Sequence, residues 1–252
     1  MGDMLSQAEI DALLSGTPIN DLGSNNNSSV VIEELSPQEI DALGEIGNIS
    51  MGTAATTLFT LLGHKVTITT PKVTATTWDE LSKEYSLPLV GVKVEYTHGL
   101  VGSNLLIMKE SDVKIITDLM MGGEGGNTEG DLSDLHLSAI SEAMNQMVGS
   151  SSTSMSSMFD KRIDISPPRA FVMRFDEDQQ YAVFEPDQKI VKIAFKMIVG
   201  NLIDSEIMQL IPISFAKSLV ENLLNIDMGN PYADVSKTAP KPQQAQPQQK
   251  AE

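Results

Sequence analysis

The chain has 252 residues, 41% of them hydrophobic, so it is long enough to bury a core in one large or two modest domains. Its 34 acidic and 17 basic residues give a formal net charge of −17, which would repel the phosphates of nucleic acid. We therefore expect no nucleic-acid binding, and a partner with a basic surface instead. The absence of cysteine excludes disulfides and thiolate chemistry, and no apolar run is long enough for a transmembrane segment.

Residues 4–15 are predicted to form a short helix. Ser6 and Glu9 have the spacing of a capping box, and apolar residues follow at helical intervals. A helix this short buries too little apolar area to fold alone. Two interpretations remain open, a tail without function or a peptide that becomes helical in a partner's groove, and the agreement of cap and stripe favours the peptide. The stripe comprises Leu5, Ile10, Leu13 and Leu14.

The rest of the chain divides by composition into a linker, a body and a tail. Residues 16–33 contain a Gly-, Asn- and Ser-rich stretch, which predicts a flexible linker. Residues 34–228 form the body. Residues 229–252 are rich in Pro, Gln, Ala and Lys and have almost no large apolar residue, so they are predicted to be disordered.

The body repeats one order of elements, which we call the first half (about residues 34–122) and the second half (131–228). Each is predicted to contain a long helix, three strands and a shorter helix. In the first half, Ser36, Pro37 and Glu39 predict the start of the long helix. The remaining elements are expected near 65–74, 89–96, 102–108 and 112–121. In the second half, the long helix is expected near 134–159, the three strands near 163–175, 189–197 and 202–211, and the shorter helix near 213–224.

The repeated elements predict an α+β fold in which a sheet is covered by the long helices. The apolar stripe of the second long helix is rich in methionine, which is more often core filling than a binding surface. The glycine-rich segment 122–127 between the halves lacks the Lys-Ser/Thr and the preceding strand of a phosphate-binding loop. We therefore interpret it as a connecting loop.

A polar motif occurs once in each half with the same spacing, and it is the most specific feature of the chain. The first copy is Asp41, Glu45, Asn48 and Pro71. The second copy is Ser138, Glu142, Asn145 and Pro168. On a helix, the first three positions fall within roughly 60° of each other, so they should share one exposed face. Each proline should interrupt or begin a strand beside that helix.

The chemistry of one Glu and one Asn favours orientation over bond making. His64, His98 and His136 are scattered, so neither a Ser-His-Asp arrangement nor a histidine metal site is expected. A carboxamide can orient a water by donating one hydrogen bond and accepting another, and a carboxylate can bind a partner's Lys or Arg. The alternative, a solvated helix face, would suit an isolated copy, but the duplicated spacing favours a pair of sites.

These motifs resemble those of the CheC/CheX/FliY family of chemotaxis phosphatases, over about residues 36–226. The resemblance implies a pseudo-two-fold duplicated CheC-like domain, an antiparallel sheet with long helices packed against it. Residues 4–14 resemble the N-terminal peptide with which flagellar switch proteins capture phosphorylated CheY. In this comparison the partner-binding residues are Leu5, Ser6, Gln7, Glu9, Ile10, Asp11, Leu13 and Leu14.

The resemblance also implies an activity, that of a protein phosphatase (a hydrolase) that removes the aspartyl phosphate of CheY and so controls flagellar rotation. Glu45 and Glu142 would bind the CheY lysine, while Asn48 and Asn145 would each hold a water in line with phosphorus. The other four motif residues would have supporting roles. No cofactor of its own is expected, because the Mg²⁺ would belong to the CheY substrate.

Partners and location are implied in the same way. They are FliM-, FliN- and FliG-like switch proteins, on the cytoplasmic face of the inner membrane in the flagellar basal body. Family members often continue into a FliN-like domain, and residues 229–252 would form the linker toward it. The alternative function is a non-catalytic switch scaffold that binds phosphorylated CheY, as in FliM, which has a similar fold without the Glu/Asn pairs. The intact pairs favour the enzyme.

Overall fold

The computed structural model describes residues 34–85, 88–173, 184–185 and 187–229, with the side chains of the last helix described through Leu224. Within these residues the chain forms five helices and eight strands. The helices are α1 (Pro37–Leu62), α2 (Trp78–Glu84), α3 (Glu110–Met120), α4 (Asp134–Met158) and α5 (Ile213–Gly229). The strands are β1 (Val66–Ile68), β2 (Lys72–Thr77), β3 (Leu89–His98), β4 (Gly102–Lys109), β5 (Asp164–Ile165), β6 (Arg169–Met173), β7 (Lys189–Val199) and β8 (Ile203–Pro212).

The predicted elements agree closely with this order. The long helices and the α+β class are confirmed, and the predicted strands near 65–74 and 163–175 are each divided into two short strands. The short helix α2 was not predicted. It begins with a capping box of Thr77 and Glu80, but with seven residues, of which Leu81 is buried, it is too short to show an apolar stripe. The predicted peptide at 1–15, the linker at 16–33 and residues 230–252 lie outside the described residues.

All strands belong to one antiparallel sheet in the order β1/β2, β7, β8, β4, β3, β5/β6. The two halves exchange their first strands within it. Strand β2 of the first half pairs with β7 of the second, with Lys72 opposite Ala194. Strand β6 of the second half pairs with β3 of the first, with Arg169 opposite Lys93. Each half therefore supplies the edge strands that pair with a longer strand of the other half.

The core lies on both faces of this sheet, because side chains alternate along each strand. On one face, α1, α3, α4 and α5 bury a large cluster that includes Val92 and Leu106. On the opposite face, α2 contributes Leu81 to a smaller cluster with Leu105 and Ile107. The methionines of α4 are part of the larger cluster, which confirms their predicted role as core filling; Met144, Met147 and Met155 are buried.

A buried carboxyl group ties α3 to the sheet. Oδ2 of Asp112 accepts a hydrogen bond from the Ser205 hydroxyl at 2.6 Å, and the Asp112 side chain is otherwise enclosed. Burial raises the pKa of Asp112, and the Ser205 hydrogen bond opposes that shift. Protonation of Asp112 is therefore more favourable in the folded chain than in the unfolded chain. Its stabilising contribution is complete below the ordinary Asp pKa of about 3.9 and is lost as pH rises through the raised folded value.

We expect Asp112→Asn to remove this pH dependence while keeping an acceptor for Ser205. Relative to wild type, the variant should gain stability as pH rises from 4 to 7, so its melting temperature should exceed that of wild type by more at pH 7 than at pH 4. Thermal unfolding of both proteins at the two pH values measures the difference. A difference that is independent of pH would contradict the raised pKa.

Candidate functional site

Helix α1 carries the first copy of the motif and has a defined start. Ser36 caps it, because its Oγ accepts from the Glu39 backbone N–H at 3.3 Å while its own N–H donates to Glu39 Oε2 at 2.7 Å. The hydrogen bond from the Ser36 backbone holds the pKa of Glu39 below its ordinary value. This cap fixes the register of the helix that places Glu45 and Asn48 in solvent, and Asp41 is exposed beside them.

Helix α4 carries the second copy in the same arrangement. At its start, the Ser133 backbone N–H donates to Nδ1 of His136 at 3.0 Å. Ser138, Glu142 and Asn145 are all exposed. Each half therefore presents its three helical motif residues to solvent, as the spacing predicted.

The two site-bearing helices lie antiparallel and contact each other through hydroxyl groups. Thr57 donates to Ser150 at 2.8 Å, and Thr53 pairs with Ser154. Asn48 lies nine residues before Thr57, and Asn145 lies five residues before Ser150 on the oppositely directed helix. At 1.5 Å per residue the two asparagines are separated by about 21 Å along the helix axes. We call Glu45 and Asn48 the first site, and Glu142 and Asn145 the second site.

The two carboxylates have different neighbours. Oε1 of Glu142 accepts a hydrogen bond from Nε2 of Gln146 at 2.9 Å, one turn along α4. The matching position in α1 is Ile49, a side chain without hydrogen-bonding groups that is 39% exposed. The carboxylate of Glu142 is therefore partly compensated by the side-chain amide of Gln146. The carboxylate of Glu45 has an apolar side chain, Ile49, at the matching position.

The motif prolines lie where the edge strands are interrupted. Pro71 immediately precedes β2, and Pro168 immediately precedes β6, as predicted. A proline is tolerated there because an edge strand has one side without sheet hydrogen bonds. Pro168 is buried and Pro71 is partly exposed. Both prolines are therefore part of the strand segments that pass beneath the site-bearing helices.

The helix and the proline segment approach each other differently in the two halves. In the first half, a Cβ atom built on Gly47 would lie 3.1 Å from Cζ of Phe195 and 3.4 Å from Cγ of Pro71. In the second half, Oγ of Ser141 accepts a hydrogen bond from the Ala170 backbone N–H at 3.1 Å. The sequence analysis missed both residues. The signal available was that Gly44 and Gly47 differ in type from Ser141 and Met144 at matching motif positions.

The site residues offer orientation and charge, because each site consists of one carboxylate and one carboxamide. Among the described residues, no group of three or more His, Asp and Glu side chains is arranged to hold a metal ion. The helices within the described ranges are each too short or too polar to cross a membrane. What each site presents to a docking protein is one carboxylate and one carboxamide on the same helical face.

Comparisons with known proteins agree with this geometry. A model of the CheC-like family matches residues 39–74 and 135–172, the two stretches that contain the motif copies. The flagellar motor switch phosphatase FliY of Bacillus subtilis (strain 168) is 49% identical over 223 residues, which cover 88% of this chain and 58% of that protein. The chain thus spans a little over half the length of this relative.

Solved structures show the same relationship. The crystal structure of Thermotoga maritima FliY matches with a TM-score of 0.71 and 39% identity, covering 77% of this chain and 99% of that one. The FliM middle domain from H. pylori matches with a TM-score of 0.59 and 12% identity, covering 75% of this chain and 99% of that one, and so shares the fold alone. The chain belongs to the CheC-like family, together with the FliY proteins that it resembles.

Proposed function

We propose that this chain is a phosphatase that hydrolyses the aspartyl phosphate of phosphorylated CheY. The observation that carries the proposal is the pair of exposed Glu/Asn sites at matching positions of two antiparallel helices. The printed name of the B. subtilis relative, a flagellar motor switch phosphatase, supports phosphatase activity. The net charge of −17 suits a partner whose active site is basic.

In this mechanism the chain supplies orientation. The carboxylate of Glu45 or Glu142 binds the lysine beside the phosphoryl group of CheY and sets the position of the docked protein. The carboxamide of Asn48 or Asn145 then holds a water opposite the bond that breaks. The water attacks phosphorus, the bond from phosphorus to the aspartate oxygen breaks, and inorganic phosphate and a free carboxylate result. The Mg²⁺ that would neutralise charge belongs to CheY, the substrate.

The proposal extends to the place of action. We place the chain at the flagellar motor switch, on the cytoplasmic face of the inner membrane, with FliM-, FliN- and FliG-like proteins as neighbours. The printed name of the B. subtilis relative, a flagellar motor switch phosphatase, supports this setting. Hydrolysis there would end the signal of CheY where it acts on rotation.

The direct test is phosphate release from purified phosphorylated CheY with and without the chain. We expect release to be accelerated in proportion to the concentration of the chain. A small phosphate ester such as p-nitrophenyl phosphate should not be hydrolysed, because it brings neither the lysine nor the metal on which the mechanism depends. Binding of phosphorylated CheY without accelerated release would refute the enzyme and support the non-catalytic scaffold.

Deletion of residues 1–15 should separate capture from chemistry. If the predicted peptide tethers CheY, its loss raises KM by about tenfold through the lost effective concentration and leaves kcat unchanged. Steady-state phosphate release over a range of CheY concentrations measures both constants. The matched variant Leu13→Ala with Leu14→Ala keeps the length and removes only the apolar contact, so it should reproduce the deletion; an unchanged KM in both would contradict tethering.

A further inference from the structure

The two sites have the same motif residues, but the residues beneath their helices differ. The position just before the asparagine is Gly47 in α1 and Met144 in α4. The position just before the glutamate is Gly44 in α1 and Ser141 in α4. Gly47, Met144 and Ser141 lie against the sheet or the proline segment, whereas a Cβ on Gly44 would meet nothing within 4 Å. The packing of the two helices against the sheet therefore differs at both positions.

In the first half, the backbone of α1 packs closely against the sheet and the proline segment. The absence of a side chain on Gly47 lets the helix backbone come against Phe195 and Pro71, whose nearest atoms would be 3.1 and 3.4 Å from a Cβ. The 3.1 Å separation is tighter than ordinary van der Waals contact between carbon atoms. Asn48 is the next residue, so any displacement of the helix at Gly47 is transmitted to the carboxamide.

In the second half, the helix itself supplies a large side chain at the position that matches Gly47. Met144 is fully buried and occupies the position that matches Gly47. The strand registers identify its counterpart in the sheet: Ala194 lies opposite Lys72, and Lys93 lies opposite Arg169. Phe195 and Val94, the next residues along, are therefore equivalent. In the first half, the large sheet residue Phe195 accompanies the small helix residue Gly47. In the second half, the smaller Val94 accompanies the larger Met144.

The second half has in addition a hydrogen bond between helix and strand. Oγ of Ser141 donates to the Leu137 carbonyl at 2.7 Å and accepts from the Ala170 N–H at 3.1 Å. Ala170 is the second residue after Pro168, so the bond fixes α4 to the strand that the motif proline begins. Gly44 has no side chain with which to make the equivalent bond in the first half.

We propose that Gly47 and Ser141 are positioning residues, each for its own site: Gly47 sets the placement of Asn48, and Ser141 sets that of Asn145. Where this concerns rate, it rests on the proposed function. Orientation of a water is sensitive to placement, since a misplacement of about 1 Å can cost a factor of 10² in rate. The two sites would therefore be disabled separately, by changes at residues that never touch CheY.

The first test does not depend on activity. In the ¹⁵N-labelled chain, the side-chain amide signals of Asn48 and Asn145 report their surroundings. Gly47→Ala should shift the signal of Asn48 and leave that of Asn145, and Ser141→Ala should do the reverse. The control is Gly52→Ala, the same change in the same helix, where a Cβ meets nothing within 4 Å. Equal shifts of both asparagines, or of neither, would overturn the inference.

Two rescue variants distinguish positioning from general damage. Ser141→Thr keeps a hydroxyl that can bond the same carbonyl in a helix, so it should restore the Asn145 signal. Phe195→Leu removes the ring atom nearest to Gly47, so in the Gly47→Ala background it should move the Asn48 signal back toward its wild-type position. Failure of both rescues would overturn the proposal even if the primary variants behave as expected.

The second test measures rate in single-site proteins. With Asn145→Ala, only the first site operates, and Gly47→Ala should lower kcat roughly fivefold with KM unchanged. With Asn48→Ala, only the second site operates, and Ser141→Ala should lower kcat similarly. If the wild-type chain and both single-site parents release no phosphate, the proposed function fails while the amide signals still decide the positioning. Active parents whose kcat the variants leave unchanged would overturn the positioning alone.

Discussion

The double variant Asn48→Ala with Asn145→Ala should release phosphate from phosphorylated CheY no faster than CheY does alone. Each single variant should keep about half of the wild-type rate, because sites about 21 Å apart on separate helices are expected to act independently. Since both asparagines are exposed, their loss should change the free energy of unfolding by no more than ~0.5 kcal/mol. Phosphate release and urea unfolding of the four proteins measure these effects.

A matched control is available in the same chain. Asn201 is an exposed asparagine in the turn between β7 and β8, so Asn201→Ala makes the same chemical change away from both sites. It should retain the wild-type rate. The wild-type rate in the double asparagine variant would remove the proposed water-orienting role. An inactive single variant would show that the two sites are unequal or coupled.

The largest loss of stability is expected from Gly99→Ala, in the turn between β3 and β4. Gly99 has φ of +79°, and a Cβ there would lie 2.0 Å from the backbone oxygen of Arg162. Because the obstacle is backbone in the loop after α4, it cannot rotate out of the way. We expect a decrease in the free energy of unfolding of about 4 kcal/mol or more, the range of severe single substitutions, measured by urea denaturation.

Gly130→Ala separates the two causes of this loss. Gly130 has nearly the same φ, +80°, but a Cβ on it would meet nothing within 4 Å. Gly130→Ala should lower the free energy of unfolding by only about 1–2 kcal/mol, the effect of placing a Cβ on a left-handed backbone conformation. Equal losses for the two variants would show that the contact with Arg162 is unimportant and that backbone strain accounts for both.

Local signals were sufficient to predict most of the elements. Helix α1 has a capping box and Pro37 at its first position, and these lie within four residues of each other in sequence, so no tertiary information is needed. The exposed face with Glu45 and Asn48 followed from helical periodicity alone. The same reasoning located the second helix and its face, because the motif spacing is identical in the two halves.

What the sequence did not reveal depends on neighbours distant in the chain. The exchange of β2 and β6 between the halves depends on the pairing of strands more than 70 residues apart, which local sequence patterns do not show. The packing of the site-bearing helices against the sheet also depends on residues that are distant in sequence. Gly47 is distinctive only once Phe195 is known to lie against it, and Ser141 only once the N–H of Ala170 is found beside it.

The exchanged strands carry a consequence for how such a molecule could arise. A polypeptide consisting of one half alone would present an uncovered sheet edge where β7 receives β2, or where β3 receives β6. Two identical copies would cover both edges at once by associating about a two-fold axis. The arrangement is the one expected when the gene of a homodimer is duplicated and the copies are fused, after which each site could acquire its own supporting residues.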